Sequence, residues 1–426
     1  MKKYRLGENV VIRPEARGAL LFNRELAETA YIDRSELELL AELINGGIKR
    51  SVIPLSSLSE LARAGMIEKT DEPCEFSLQE VENCLNARPP EIKNSLSAPE
   101  TLHISLTNAC DQECPGCFYS LTTGQGETYL SLEIFLKVLR KSHEARVLQF
   151  AFGGGEPLLN PHVLDFVEWS KKAGIVANIT TNGNRVNLNV ARELKAAGLG
   201  QLQVSMDAGD PELNSFTRPN YAGALTAMVD CRKAGLRFGI NAMVTRDNFR
   251  ALPKLFKLAR EVGADGVNLL RPKPPVAAGG WLEDVSLGPV ENRELIGILR
   301  QKTGNGLPVT LDQSMCFLAT HRDPEELYYN GVWGCGAGRR FLTVGPCGEV
   351  YPCSHYREQI AEDGEFMAAW TGSGLMEEFR NLEDTIKGKC RTCAHVRNCR
   401  GCRSVVRELG GGFQDPDPHC PAIRSS

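Results

Sequence analysis

The chain has 426 residues, of which 24% are charged and 42% hydrophobic, and its net charge is −4. That length holds several domains and a large buried core, and so small a net charge supplies no global basic field for nucleic acid or acidic lipid. The opening "MKKYRLGENVVIRPEARG" carries two lysines but no apolar run after them, so it does not read as a signal peptide. No apolar run is long enough to span a bilayer. The expectation is a cytoplasmic protein with neither nucleic acid nor membrane as partner.

Residues 1–95 read as a small α+β unit. "NVVIRP", "GALLFN" and "TAYID" have strand character. "DRSELELLAELING" opens on an Asp cap and places Leu37, Leu39, Leu40 and Leu43 along one helical face. "PLSSLSELARAGMIEK" reads as a helix ending at Gly65, then a strand. "NARPPEIKNSLSAPE" is a linker, because its proline pair sustains neither helix nor central strand.

From about residue 100 to 305 the rhythm becomes βα. "LHISLT", "VLQFAF", "VANITT", "LQVSMD", "FGINAMV" and "GVNLL" are strand candidates. Helical segments such as "SLEIFLKVLRKSHE" and "LPKLFKLAREVG" lie between them. Repeated βα units imply a parallel sheet, and six strands fall short of the eight of a closed barrel. The fold class expected is therefore α/β with a partial (β/α)6 TIM-like barrel. Residues 306–426 are rich in Gly, Pro and Cys and poor in apolar periodicity. They are expected to depend on bound metal rather than on burial for their fold.

Fifteen cysteines are the anomaly. A reducing compartment disfavours a disulfide framework, so most of them are expected to bind metal or clusters. Cys74, Cys84 and Cys231 stand apart and read as inert thiols. Cys110, Cys114 and Cys117 fall together in "TNACDQECPGCFYSL", directly after the first strand of the βα series. Active-site loops of α/β proteins lie there. A structural zinc site takes four protein ligands, and this stretch supplies three. A [4Fe–4S] cluster held by three cysteines leaves one iron open.

The Cys-x3-Cys-x2-Cys spacing resembles the radical S-adenosylmethionine superfamily. The resemblance implies that the open iron binds the amino and carboxylate groups of S-adenosylmethionine, whose reductive cleavage gives a 5'-deoxyadenosyl radical. "FGGGEP" is similar to the family's GGE motif, so Gly154, Gly155 and Glu156 are expected at the methionine ammonium. Thr181, Asn182, Ser205 and Asp207 end the third and fourth strands. They are expected near the ribose or the carboxylate, and Arg218 is expected to partner that carboxylate or a peptide substrate. The family commonly places an aromatic where this chain has Gly116, so Phe118 or Tyr119 is expected against the adenine.

The C-terminal part resembles the SPASM domain, which carries auxiliary [4Fe–4S] clusters in peptide-maturing enzymes. The resemblance assigns Cys335, Cys353 and Cys402 to a first auxiliary cluster, whose fourth position is left to Cys316, the preferred residue, to Cys347 or to an open iron. It assigns Cys390, Cys393, Cys399 and Cys420 to a second. Two residues rather than three separate Cys399 from Cys402. Ser354 stands where the sulfatase-maturing branch has an aspartate, which argues against that substrate.

Residues 1–95 resemble a winged-helix-like, PqqD-like peptide-recognition domain, the small leader-binding domain of pyrroloquinoline-quinone biosynthesis. The rival is a DNA-binding winged helix. Within residues 1–95, 13 Lys+Arg stand against 16 Asp+Glu, the wrong sign for phosphate. The expected partners are a precursor peptide with its leader and a low-potential ferredoxin or flavodoxin. The expected activity is oxidative cross-linking of that ribosomal peptide. The alternatives are modification of a tetrapyrrole or other small molecule, and a non-enzymatic iron–sulfur regulator or electron carrier.

Overall fold

A computed structural model of the chain describes residues 3–46, 55–70, 75–119, 126–275, 280–301, 306–329 and 331–422. Cys74, expected to be an inert thiol, lies outside them. The chain divides into two compact units, residues 1–100 and 101–426.

In the first unit, β1 (Lys3–Leu6) pairs antiparallel with β5 (Ile67–Thr70). A meander of β2 (Val10–Glu15), β3 (Gly18–Asn23) and β4 (Glu28–Asp33) forms a second sheet in the order β2-β3-β4. Three helices follow, α1 (Arg34–Ile44), α2 (Leu55–Arg63) and α3 (Glu75–Asn86). Asp33 caps α1 in a full capping box with Glu36. The leucine face of α1 packs on Ile12, Ala19, Leu21 and Val81. Strand β1 and helix α3 were not read from the sequence. A buried pair, Arg13 and Glu15, fastens the linker. Arg13 donates to the carbonyls of Ala98 and Pro99, and Glu15 accepts from the Ser97 amide.

The second unit is built on one nine-stranded sheet. All six expected strands form: β6 (Thr101–Thr107), β7 (Gln149–Gly154), β8 (Val176–Thr181), β9 (Gln201–Ser205), β10 (Phe238–Met243) and β11 (Val267–Leu270). They are parallel and neighbour one another in chain order. The sheet crosses the expected boundary at residue 305. β12 (Val309–Leu311) adds in parallel to β11. β13 (Phe341–Val344) adds in parallel to β6 and forms a hairpin with β14 (Val350–Tyr351).

The two faces of this sheet differ. Outward positions such as Phe150, Phe152 and Ile179 are fully buried under the helices, where Phe135 and Phe166 meet at 4.2 Å. Inward positions are polar and bonded across strands. Asn178 donates to Gln149, Asn241 to Thr180, and Asn268 to Asn241. Thr180 is solvent-exposed. A closed eight-stranded barrel fills its interior with branched apolar side chains. This open one keeps a wet, polar lumen.

The C-terminal part buries more apolar side chains than its sequence pattern shows: Phe366, Trp370, Met376 and Leu382 are all buried. These residues sit on short helices of four to seven residues, Phe366–Gly372, Gly374–Arg380 and Leu382–Thr385. Helices that short give no sustained 3.6-residue period to read.

Candidate active site and cysteine clusters

The loop leaving β6 carries Cys110, Cys114 and Cys117, with the Cys117 amide donating to the Cys114 carbonyl at 3.2 Å. Two glycines let the end of β7 lie against this loop. A Cβ at Gly154 would sit 2.3 Å from the Thr107 carbonyl oxygen, and one at Gly155 would sit 1.9 Å from that of Ala109. Their absence lets the Gly155 and Glu156 amides donate to those same carbonyls, each at 2.8 Å. The glycines of "GGGEP" are thus required by strand-to-loop contact.

Glu156 is fully buried beside the first cysteine. It accepts from the Thr181 hydroxyl and the Asn182 amide, both at 2.8 Å, and from the Leu158 amide at 3.2 Å. Burial pushes its carboxyl up to about 7 against those three donors. Asn182 then reaches the cysteine loop. Its side-chain amide donates to Asp111 at 2.8 Å and lies 3.8 Å from the Cys110 sulfur. Gly154, Gly155, Glu156, Thr181, Asn182 and Cys110 therefore converge as the sequence suggests.

Asp207 is placed differently from the expectation of direct ligand contact. Its carboxylate is buried and takes the Thr217 hydroxyl at 2.7 Å, the Met243 amide at 2.8 Å and the Arg218 guanidinium at 3.0 Å. It holds Arg218, whose charge faces Cys114 and Cys117. Burial pushes the Cys114 thiol up to about 11, with Arg218 pulling it down. Ser205 is buried at the end of β9.

The aromatic expectations are also redistributed. Phe118 packs on His355 at 4.3 Å between ring centroids, and Tyr119 lies under the Arg357 guanidinium at 4.4 Å. Gly116 has φ of +68°, and a Cβ there would fall 2.1 Å from the Trp281 indole. That backbone excludes an aromatic at 116, and the ring filling the space arrives from helix Trp281–Val285 after β11. Trp281 has no motif around it, so sequence reasoning missed it.

The C-terminal thiols form two groups that meet where Cys316 of one neighbours Cys399 of the other. Burial pushes Cys353 up to about 12, and Cys335 and Cys402 beside it add to the rise. Cys335 and Cys353 pack on one apolar cluster with Tyr356 and Phe379. Cys316, also pushed up to about 12 by burial, has Asp312 and Cys335 next to it. In the other neighbourhood, burial raises Cys390, followed by the proximity of Cys420 and Cys393. Cys399 is raised well above the usual thiol range by burial, then by Cys316 and Cys420. Cys347 sits apart at the β13–β14 turn, exposed, with Glu349 and Thr128 around it. Cys84 and Cys231 are buried in apolar surroundings.

Do these residues fit iron–sulfur clusters? Among the described residues no three Cys, His, Asp or Glu side chains converge on a single-ion site. A cubane spreads its thiolates around a larger body. Grouped, mostly half-buried thiols, several of them with raised pKa values, ionise when a metal replaces the proton. Cations stand beside them: Arg400, 2% exposed, neighbours Cys335 and Cys399, and half-buried Lys273 neighbours Cys402. The donor set fits.

Comparison with known proteins agrees. Residues 104–259 match the Radical SAM superfamily and residues 335–394 match the SPASM iron-sulfur cluster-binding domain. Mycofactocin maturase MftC of Mycolicibacterium smegmatis is 28% identical over 340 residues, covering 78% of this chain and 84% of that one. PqqA peptide cyclase of Gluconobacter oxydans is 28% identical over 339 residues, covering 76% and 91%. AdoMet-dependent heme synthase of Methanosarcina barkeri is 24% identical over 344 residues, covering 76% and 97%. Among solved structures, Streptococcus suis SuiB bound to precursor peptide SuiA superposes with a TM-score of 0.72 at 18% identity, covering 99% of this chain and 100% of that one.

Proposed function

We propose that this radical SAM enzyme, with its SPASM iron–sulfur domain, matures a ribosomally made precursor peptide by oxidative cross-linking. The observation that carries the radical chemistry is the set of three thiols, with no fourth beside them among the described residues, next to the buried Glu156 and the Arg218 cation. Cys110, Cys114 and Cys117 would hold a [4Fe–4S] cluster, which with S-adenosylmethionine bound would supply the radical chemistry for abstracting hydrogen from substrate.

This chain's own residues do the rest. Glu156 receives the methionine ammonium, and Thr181 and Asn182 fix its carboxylate. Arg218, held by Asp207, takes the methionine carboxylate. The polar lumen orients the peptide core. Cys316, Cys335, Cys353 and Cys402 hold one auxiliary cluster, and Cys390, Cys393, Cys399 and Cys420 hold the other. Cys347, exposed and remote from both neighbourhoods, is no ligand in this reading.

The peptide reading is supported by the relatives named as a maturase and a peptide cyclase. It is also supported by the first unit, where β4 pairs only with β3 among the described strands. A strand with one neighbour can accept a leader by main-chain bonding. A low-potential ferredoxin or flavodoxin supplies the electron. The heme synthase relative keeps a tetrapyrrole as the second reading.

Anaerobically reconstituted protein with S-adenosylmethionine and dithionite should release 5'-deoxyadenosine, and Ala at Cys110, Cys114 or Cys117 should stop it. A wild type that releases none refutes the enzyme. Leader peptides from neighbouring short reading frames should bind the full chain. Turnover of a porphyrin precursor with no peptide bound would move the assignment to the second reading.

A further inference from the structure

One residue touches three of the cysteines assigned to two different clusters. The Asp417 amide bonds to the Cys390 thiol. Its carbonyl accepts from the Cys420 amide at 3.2 Å. Its carboxylate Oδ2 accepts from the Cys402 amide at 2.9 Å. Close approach here depends on Gly401, whose φ is +63° and whose added Cβ would lie 2.5 Å from that of Asp417.

The same carboxylate is forked by Arg271, with Nη1 to Oδ2 at 2.6 Å and Nη2 to Oδ1 at 2.8 Å. Arg271 directly follows β11, so the fork ties the cysteine-rich loops to the barrel sheet. Arg271 also donates to the Ser314 carbonyl, two residues before Cys316, and lies over the Phe317 ring at 5.2 Å. His419 completes the group, its amide donating to Oδ1 at 3.1 Å and its Nδ1 lying 2.8 Å from Arg271 Nη2. Both charged side chains are almost wholly excluded from water, at 4% and 2% exposure.

Burying two charges is costly, and an apolar pair of the same volume often stabilises a fold better. A buried fork that meets ligands of two clusters has a second use, because a charge in a dry interior acts strongly on any neighbouring charge. Reducing a cluster adds one negative charge. A neighbouring guanidinium favours that addition and a carboxylate opposes it. Hydrogen bonds to the sulfurs, such as that from the Asp417 amide, act in the same way.

We propose that Arg271 and Asp417 are a positioning pair shared by both auxiliary clusters. Asp417 fixes the loops that hold Cys390, Cys402 and Cys420, and the balance of the paired charges sets how readily the clusters accept an electron. The inference rests on the assignment of those cysteines to two clusters.

The test uses the full chain with Cys110, Cys114 and Cys117 changed to Ala, so that only auxiliary signals remain. After anaerobic reconstitution it is titrated with dithionite and mediator dyes and followed by electron paramagnetic resonance. Asp417→Asn keeps an oxygen for the Cys402 amide but leaves the guanidinium unbalanced, so reduction becomes easier. Arg271→Gln leaves the carboxylate unbalanced, so reduction becomes harder. Each single variant should change the reduction equilibrium constant about tenfold, roughly 59 mV for one electron. The double variant should return toward the parent. A purely structural role predicts no such opposition of sign. Variants with parental iron content and unmoved potentials overturn the inference, and so do shifts of the same sign. Should Asp417→Asn lose iron, the sign from Arg271→Gln decides. A parent with no auxiliary signal refutes the cluster assignment itself, whereas signals that do not move refute only the pair.

Discussion

Replacing Glu156 by Gln tests whether the buried carboxyl is kept for a cationic ligand rather than for stability. Its carboxyl is raised from 4.5 to about 7, chiefly by burial. The folded chain therefore holds this proton more tightly than the unfolded chain. Stability is lost as pH rises from about 4.5 to 7, and the full penalty stands above 7. A shift of about 2.5 units at 1.36 kcal/mol each corresponds to about 3 kcal/mol. About 2–3 kcal/mol of that falls between pH 5 and pH 8. Glutamine does not titrate. It does leave one donor, the Asn182 amide or the Thr181 hydroxyl, facing an NH2 group, at about 1–3 kcal/mol independent of pH. Urea unfolding of metal-free wild type and Glu156→Gln at pH 5 and pH 8 separates the two effects. Relative to wild type, the variant should gain about 2–3 kcal/mol on going to pH 8. In the reconstituted protein, S-adenosylmethionine should bind wild type more tightly as pH rises through 7, and the variant should lose that dependence. Equal pH dependence of the two unfolding curves would refute the reasoning, and so would undiminished binding by the variant at pH 8.

Three further outcomes follow from the same geometry. Cys316→Ser should alter the signal of one auxiliary cluster and lower bound iron, while Cys347→Ser leaves both unchanged, and the reverse pattern would exchange the two residues' roles. Gly116→Ala places a Cβ on the Trp281 ring at a positive φ, so cluster assembly at the three-cysteine loop should fail; Gly116→Ala with Trp281→Ala should recover part of it, as iron analysis would show. Arg13→Met strands the buried Glu15 and two carbonyls, so the first unit should lose about 3–5 kcal/mol and the linker should be cut sooner in limited proteolysis of the full chain.

The parallel strands were legible because each presents apolar side chains to the helices at every second position, as in Phe150 and Phe152. β12 and β13 were not, since they lie in the Gly-, Pro- and Cys-rich part, outside the βα rhythm that marks the equally short β11. The three-cysteine loop and the two glycines before Glu156 were legible because sequence neighbours share the geometry. Pairs far apart in the chain were not. Arg271 meets Asp417 across 146 residues, and neither has local spacing that announces the other. Asp207 was legible as a polar strand end but not as the anchor of Arg218, which requires the turn between them to be known.

The sheet's inward face connects these sites. Were Asn178, Thr180, Asn241 and Asn268 apolar, the open barrel would collapse on itself and exclude water. Their cross-strand bonds instead satisfy one another and hold the strands apart around a wet lumen. Around that lumen stand the charged and thiol groups that burial disfavours: Glu156 and Arg218 near the cysteine loop, Lys273 with Asp312 near Cys402. Each is stabilised by a partner of opposite charge or by backbone donors rather than by solvent. Of these, Glu156 is the group whose charged form the ligand-free fold disfavours, and the signs of the set fit a cosubstrate with an ammonium and a carboxylate, and clusters with net negative charge. The ligand-free chain should therefore gain stability on binding both, and by linkage each should raise the midpoint of unfolding with the logarithm of its affinity for the folded state at a given excess of ligand.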